Sequence, residues 1–273
     1  MRHDARSGGL IVRLYTLVLR TVAKNMTSHE GKFTWPTSGP VSCPDWDPTP
    51  GCGGGLHGLA WGEGSSMALP TIGNRRWLVV EVPTSAIVRF DGKCKFPSGD
   101  VVHCGDQKSA TDYLLNHAPA GTVCHYATVT AGDGGTATAG AYGKATAGDR
   151  GKATAGYYGM AIAGDSGTAT ADTNGTATAG VYGTATARHD GTATAGGSGK
   201  ATAGYRGTAT AGDGGTATAG VYGQLRIAYW DHNRDRERTA IAYVGENGIK
   251  ANTPYQLDDD HRFVEATNNR GGN

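Results

Sequence analysis

Gly135-Thr136-Ala137-Thr138-Ala139-Gly140 is one copy of a phrase, Gly-x-Ala-Thr-Ala-Gly-x-x, that the chain repeats every eight residues from 127 to 223. The first glycine of the phrase returns at every step: Gly135, Gly143, Gly151, Gly159, Gly167, Gly175, Gly183, Gly191, Gly199, Gly207, Gly215 and Gly223. A short period kept over this many copies predicts a repeat architecture and outweighs local propensity.

Each copy predicts one short strand and one tight turn. In a strand, Thr136 and Thr138 lie on one face while Ala137 and Ala139 lie on the other. We expect the glycines to supply the positive φ of the turn. Two copies then make a sixteen-residue coil, and successive coils stack roughly 4.8 Å apart.

The inward side chains are nearly all alanine, which predicts a flattened β-solenoid with a thin core. Each buried methyl contributes only about 0.8 kcal/mol, so backbone ladders and coil stacking must supply much of the stability. Regular glycines exclude a helix, and a period of eight excludes collagen. A disordered Gly/Ala/Thr linker is the remaining alternative, and the strict alternation argues against it.

The sixteen-residue phase assigns the outward residues to two faces. One face carries Thr136/Thr138, Lys152/Thr154, Thr168/Thr170, Thr184/Thr186, Lys200/Thr202 and Thr216/Thr218. The other carries Thr128/Thr130, Lys144/Thr146, Met160/Ile162, Thr176/Thr178, Thr192/Thr194 and Thr208/Thr210.

The turns form two columns. One contains Tyr142, Tyr158, Asn174, Asp190, Arg206 and Tyr222, and the other contains Asp133, Asp149, Asp165, Val181, Gly197 and Asp213.

Composition limits the partners and the compartment. The net charge is +1, which gives no bulk attraction to nucleic acid or to an anionic membrane. The apolar segment 10–23 is too short to span a bilayer and carries two arginines. Five cysteines and no secretory signal favour a reducing compartment, so we expect a cytoplasmic protein. We expect no cofactor.

Composition also divides the chain. We predict a flexible lead-in at 1–9, an α+β domain at 10–126, the solenoid at 127–223, a small β cap at 224–267 and a flexible tail at 268–273. Residues 34–64 read as a long run of turns, and Trp77–Val82 is the clearest strand. Asp106 caps a helix that ends before Pro119. Leu225 and Ile227 keep the inward phase with larger side chains, as expected at a cap.

The N-terminal domain offers two candidate sites. Cys43, Cys52 and His57, with Cys94, His103 and Cys104, contain enough ligands for zinc, but no C-x₂-C pair is present, and buried thiols are the alternative. Separately, Gly55-Leu56-His57-Gly58 followed by Trp77–Val82 is similar in order to ADP-ribosyl-transfer and RNA 2′-phosphotransferase folds. That resemblance implies that His57 contacts a phosphate or ribose and that Arg20 assists; no catalytic glutamate is assignable.

The aspartate column offers a candidate calcium site. Asp133, Asp149 and Asp165 recur once per coil. Calcium needs six to eight oxygen ligands, and one carboxylate every ~4.8 Å makes a sparse cage. Solvated turn aspartates are the alternative.

The threonine faces carry a further resemblance. The segments Ala-Gly-Tyr-Tyr-Gly-Met-Ala-Ile-Ala-Gly (155–164) and Ala-Gly-Val-Tyr-Gly-Thr-Ala-Thr-Ala (179–187) resemble the repeats of bacterial ice-nucleation proteins, and the faces resemble flat Thr-x-Thr antifreeze solenoids. The resemblance implies water ordering by threonine: Thr168, Thr170, Thr184 and Thr186 on one face, and Thr176, Thr178, Thr192, Thr194, Thr208 and Thr210 on the other.

The sequence alone therefore leaves three functional hypotheses. The first is a non-enzymatic scaffold that binds a protein partner or a second copy of itself through its faces or through Tyr142, Tyr158, Arg206 and Tyr222. The second is ice binding through the threonine faces. The third is a nucleotide-binding N-terminal domain.

Overall fold

The computed structural model describes residues 5–7, 10–28, 33–69 and 74–266. It divides the chain into two compact units, Met1–Ala127 and Thr128–Asn273. The fold is mainly β, with a small α+β region in the first unit and a solenoid of about six turns in the second, which confirms the predicted fold class. Of the predicted lead-in, residues 5–7 form a strand; its other residues and the tail 268–273 lie outside the described residues.

The first unit is built around one antiparallel sheet. Its elements are β1 (Ala5–Ser7), β2 (Leu10–Val12), β3 (Tyr15–Ala23), β4 (Thr27–Ser28), β5 (Phe33–Thr34), β6 (Gly39–Ser42), β7 (Leu56–Ala60), β8 (Arg75–Pro83), β9 (Val88–Phe90), β10 (Lys93–Phe96), β11 (Ser98–Gly105) and α1 (Gln107–His117), with 3₁₀ turns at Ser66–Ala68 and Thr84–Ala86. Seven strands form the sheet in the order β6-β11-β8-β3-β7-β10-β9.

The core of this sheet consists of apolar side chains, with valine the most frequent. Val18, Leu78, Val80 and Phe96 are fully buried on its strands. Helix α1 packs on β8 and β11, and the Asp106 carboxylate accepts a hydrogen bond from the Ser109 amide at 2.7 Å. This cap is the one that the sequence predicts.

The interpretation of 34–64 as a run of turns is wrong for two segments. Gly39–Ser42 and Leu56–Ala60 are strands, so His57 lies in a strand rather than in a glycine-rich loop. Gly58 has a packing role there, because a Cβ atom would lie 2.4 Å from Val18 Cγ1 and 2.6 Å from Leu19 O of the neighbouring β3. Glycine permits the close approach of two strands, a use that is easily read as flexibility.

The second unit contains two parallel sheets of four-residue strands. The strands are β12 (Thr128–Ala131), β13 (Thr136–Ala139), β14 (Lys144–Ala147), β15 (Lys152–Ala155), β16 (Met160–Ala163), β17 (Thr168–Ala171), β18 (Thr176–Ala179), β19 (Thr184–Ala187), β20 (Thr192–Ala195), β21 (Lys200–Ala203), β22 (Thr208–Ala211) and β23 (Thr216–Ala219). Even-numbered strands form sheet A and odd-numbered strands form sheet B. Each strand from β12 to β22 pairs in register with the strand sixteen residues later.

Alanine lines the space between the two sheets, as the alternation predicts. Ala169, Ala177, Ala185 and Ala193 are fully buried, and the whole alanine set forms one continuous core. The strands place threonines or lysines outward, except β16, which places Met160 and Ile162 there. The two sheets therefore pack against each other mainly through alanine methyl groups.

The corners reach positive φ differently from the prediction. The repeat glycines do not carry it; the residue just before each of them does, at Tyr142 (57°), Arg150 (56°), Asn174 (58°) and Tyr182 (57°), among others. This left-handed conformation costs an ordinary residue roughly 1–2 kcal/mol. It points the amide at the next coil: Arg150 N donates to Asp165 O at 2.8 Å.

The repeat glycines are required by close approach instead. A Cβ atom on Gly159 would lie 2.8 Å from Ala155 Cβ and 2.8 Å from Gly156 O. The same collision recurs at the other corners, for example at Gly207 with Ala203 Cβ at 2.8 Å. Both separations are shorter than real Cβ contacts. Only glycine, which has a hydrogen in place of Cβ, therefore fits at the corner.

The C-terminal end caps both sheets with antiparallel strands. These are β24 (Gln224–Asp231), β25 (Arg236–Tyr243), β26 (Tyr255–Leu257) and β27 (Phe263–Glu265). β24 extends sheet A and pairs with β25, while β26 and β27 extend sheet B. Leu225 and Ile227 are buried at 0% and 1% exposure, as the enlarged inward residues predict. β26 was not predicted, because its three residues carry no repeat signal.

Two neighbouring glycines test the close-approach argument. Gly199→Ala places a methyl 2.8 Å from Gly196 O and 2.9 Å from Ala195 Cβ, whereas Gly197→Ala meets only Asp213 O at 3.6 Å. We expect Gly199→Ala to lower the free energy of unfolding by about 1–3 kcal/mol and Gly197→Ala to leave it unchanged or raise it by up to ~1 kcal/mol. Guanidinium unfolding followed by circular dichroism measures both. Equal effects would contradict the argument.

Candidate functional site

The outward threonines of sheet B form an unbroken row across six coils. The second outward position of each strand in that sheet holds Thr138, Thr154, Thr170, Thr186, Thr202 and Thr218, called here the six-threonine row. In-register pairing places Thr154 beside Thr170 and Thr170 beside Thr186. Parallel strands repeat at roughly 4.8 Å, and alternate residues repeat at roughly 6.6 Å along a strand. The hydroxyls and methyls therefore stand on a regular grid.

The first outward position of sheet B is less regular. Lys152 and Lys200 interrupt it, while Thr168 and Thr184 pair with each other. The predicted residues Thr168, Thr170, Thr184 and Thr186 thus form a compact block inside the longer row. The sequence already places all six members of the row on one face, and the strand register shows that they stand side by side.

Sheet A carries the second block of predicted threonines. Thr176/Thr178, Thr192/Thr194 and Thr208/Thr210 are in register over three coils. Lys144, Met160 and Ile162 break this face in the earlier coils, and Gln224 and Arg226 end it. The face on sheet A is therefore shorter than the row on sheet B.

The threonine hydroxyls face solvent with their hydrogen-bonding capacity unused by the protein. Within the described solenoid strands, no outward threonine hydroxyl donates to or accepts from another protein group, while hydroxyls elsewhere, such as that of Thr111, bond backbone carbonyls. A hydroxyl offers one donor and two acceptor positions. All of them remain available to water.

The turn column with the tyrosines forms an aromatic edge. Tyr142 and Tyr158 stack with ring centroids 5.4 Å apart and nearly parallel planes. Tyr222 meets the ring of Tyr205 edge-on at 5.6 Å and is 73% exposed. Arg206 Nε lies 3.4 Å from Asp190 Oδ1 of the preceding coil. The tyrosine and arginine positions predicted as contact residues are therefore on one edge.

The aspartate column has a structural role that the sequence reading missed. Asp133 Oδ1 accepts from Asp149 N at 3.0 Å, Asp149 Oδ1 from Asp165 N at 2.9 Å, and Asp165 Oδ1 from Val181 N at 2.8 Å. Each carboxylate thereby pairs a corner amide of the next coil. The interpretation as merely solvated side chains is wrong, since one oxygen of each is committed to the backbone.

Metal ligands do not converge in the part of the chain that the structure describes. No group of three or more His, Cys, Asp or Glu side chains there is arranged to hold an ion. Cys94 is buried, and its burial raises the pKa of the thiol to about 11, while Cys52 is exposed. The candidates Cys43, Cys52 and His57 are not brought together with a further ligand.

Arg20 and His57 do lie together. Arg20 Nη1 donates to His57 O at 3.0 Å, and both residues line one cavity of the first unit with Cys43 and Trp35. The contact between Arg20 and His57, thirty-seven positions apart, follows from the adjacency of β3 and β7.

Among the described residues, no helix is long and apolar enough to cross a bilayer.

Comparison with known proteins gives matches within the repeat. Ice nucleation protein InaU of Pantoea ananas is 42% identical over 103 residues, which cover 37% of this chain and 10% of the relative. An ice nucleation protein of Pseudomonas syringae is 43% identical over 100 residues, covering 36% of this chain and 9% of the relative. The repeat region resembles ice-nucleation repeats.

The match has clear limits. The aligned part of the chain spans about a tenth of the length of these curated relatives. A family profile described as a domain of unknown function, DUF4774, matches residues 157–203. No solved structure matches the chain. The resemblance therefore concerns the solenoid.

Removing one aspartate from the column tests its structural role. Asp149→Ala leaves the amide of Asp165 without its acceptor, and we expect a loss of about 0.5–1.5 kcal/mol in the free energy of unfolding. Asp149→Asn keeps an acceptor oxygen and should cost less. Asp213→Ala, for which no such bond forms, is the matched control. Chemical denaturation measures all three, and an Asp149→Ala effect no larger than that of Asp213→Ala would refute the role.

Proposed function

We propose that the solenoid binds ice and orders water through its threonine faces, chiefly through the six-threonine row of sheet B. The observation that supports this most strongly is the continuity of that row over six in-register strands. The similarity of the repeat to proteins named ice nucleation proteins supports the same function. This function is the second of the three sequence hypotheses, and it is favoured over the scaffold.

The physical case rests on rigidity and on spacing. A surface holds water in a lattice-like arrangement only if its own groups keep fixed positions. Here each of the strands β15, β17, β19 and β21 is held by parallel ladders on both sides, and β-branched threonine has restricted χ1 rotamers. The unpaired hydroxyls bond water while the methyls exclude it from the spaces between, so neighbouring waters are positioned by a repeated pattern.

The size of the row indicates binding to existing ice. Six strands at roughly 4.8 Å span about 25–30 Å, and the relatives are about ten times longer than the matched segment. A template stabilises a new ice embryo only over its own area. We therefore propose adsorption to crystals and inhibition of their growth as the activity of the single chain.

A bulky side chain in the row tests the proposal. Thr186→Tyr adds a ring to the middle of the six-threonine row and should remove most of the thermal hysteresis and ice shaping of the wild-type protein, because the flat surface no longer meets the ice. Thr194→Tyr makes the same change on sheet A and should leave most of the activity. Nanolitre osmometry gives both readouts, and circular dichroism checks the fold.

Two results would contradict the proposal. One is a folded wild-type protein that leaves ice growth unchanged at millimolar concentration. The other is full activity in Thr186→Tyr. A loss in Thr194→Tyr alone would move the ice-binding surface to sheet A.

The scaffold remains a second candidate because of the exposed aromatic edge. Tyr158 is 51% exposed and Tyr222 is 73% exposed, and exposed tyrosines are enriched at protein interfaces. A protein partner or a second copy of the chain is the expected ligand. A variant with alanine at Tyr142, Tyr158, Arg206 and Tyr222 should keep ice binding; loss of self-association in sedimentation would support the scaffold.

A further inference from the structure

The first unit contains a cavity that the solenoid activity does not use. Its volume is about 270 Å³, at the small end for ligand sites. Phe33, Trp35 and Leu56 give it an apolar wall, and Arg20, Asp45 and His57 supply polar groups. The Arg20 guanidinium lies over the ring of Trp35, one of the aromatic residues that line the cavity. The Phe33 and Trp35 rings of the apolar wall meet edge to face, with centroids 5.4 Å apart. This combination of an aromatic wall and one buried cation is what distinguishes the cavity.

Arg20 is held in this cavity without a carboxylate. Nη1 donates to the backbone oxygen of His57 at 3.0 Å, and the guanidinium carbon lies 5.4 Å from the centroid of the Trp35 ring. Nε is shielded from bulk water and has no hydrogen-bond partner among the described groups. No ion pair of Arg20 occurs within the described residues.

The electrostatic surroundings leave the cation uncompensated. Burial, and then the positive charge of Arg75, lower the pKa of Arg20 to about 10. A buried charge is strongly disfavoured unless it is paired and hydrogen-bonded. One carbonyl and one ring satisfy part of the guanidinium, whose five N–H donors suit a planar oxyanion. The remaining donors are positioned for a group that the protein does not supply.

Asp45 is the only described carboxylate that lines the cavity. Its Oδ1 accepts from Gly55 N at 3.4 Å, so it supports the loop that contains Gly55 and makes no ion pair with Arg20. Lys95, a fully buried lysine on β10, bonds Gly53 O of that loop at 3.3 Å. The local balance of charge around the cavity is therefore positive, which favours an anion over a cation.

We propose that this cavity binds a small organic oxyanion, a carboxylate or a phosphate ester carried on a single ring-sized apolar body. The oxyanion pairs with the free donors of Arg20, and the apolar body packs on Phe33 and Trp35. The volume admits one ring and excludes a large ligand. This site is separate from the ice-binding surface and does not depend on it.

The test uses the full chain and four probes. Benzoate and phenyl phosphate present the two oxyanions on the same ring, inorganic phosphate lacks the ring, and benzamidine presents a cation on it. Isothermal titration should show saturable binding of benzoate or phenyl phosphate, with the better one naming the oxyanion. Inorganic phosphate should bind at least about tenfold more weakly, and benzamidine should not bind.

Three variants of the cavity and one control on the solenoid make the result specific. Arg20→Met keeps the length of the side chain and should abolish binding; Arg20→Lys keeps the charge without the fork and should bind with intermediate affinity. Asp45→Asn keeps the acceptor for Gly55 and removes the negative charge, so it should tighten binding several-fold. The Asp45→Asn variant tests anion binding even if Arg20→Met fails to fold. Thr186→Tyr on the solenoid should bind as the wild type does.

The proposal is overturned by any of three results. These are no saturable binding of either ring-bearing anion at millimolar concentration, equal affinity in a folded Arg20→Met variant, or weaker anion binding in Asp45→Asn. Equal affinities for phenyl phosphate and inorganic phosphate would overturn the role of the apolar wall.

Discussion

The solenoid depends on how closely its backbone can approach itself at the corners. From Gly151 to Gly223, each corner closes on a glycine whose hydrogen lies where a methyl would collide with the alanine four residues earlier, as at Gly151 and Ala147. The same spacing brings the amides and carbonyls of successive coils into register, including those of the turns. Alanine inside and glycine at the corners thus satisfy the same constraint. A larger residue in either place would move the strands apart and break the backbone hydrogen bonds between successive coils.

Regular outward faces follow from that constraint. Because every coil has sixteen residues and the same register, equivalent outward positions of successive coils form a row. The hydroxyls of the threonines in these rows make no hydrogen bond to any described group of the protein. They are therefore available to bind water. The aspartate ladder contributes at the edge, where Asp149 Oδ1 pairs the amide of Asp165 and carries the backbone ladder around a corner.

The period of the sequence predicts the strands, their faces and their buried residues. It does not predict features that depend on contacts between segments distant in the chain. Alternation of Thr168, Ala169, Thr170 and Ala171 was enough to give strand, face and burial. Positive φ lies on Tyr142 and Arg150 rather than on the repeat glycines. Those glycines are required because a Cβ atom there would collide with the preceding alanine, as at Gly151. In the first unit, Gly58 lies in a strand because its lack of a Cβ admits Val18, and the Arg20 cavity assembles from segments far apart in the chain. No local pattern encodes either contact.

Residue-resolved amide hydrogen exchange across 164–219 tests the ladder most directly. Amides within β17–β22 should be strongly protected on both inward and outward residues, because each is bonded to a neighbouring coil. Among the corners, Asp165 and Val181, which an aspartate oxygen accepts from, should exchange more slowly than Tyr205, which has no such carboxylate beneath it. Exchange of the strand amides at the rate of an unstructured chain would contradict the stacked coils and every surface inferred from them.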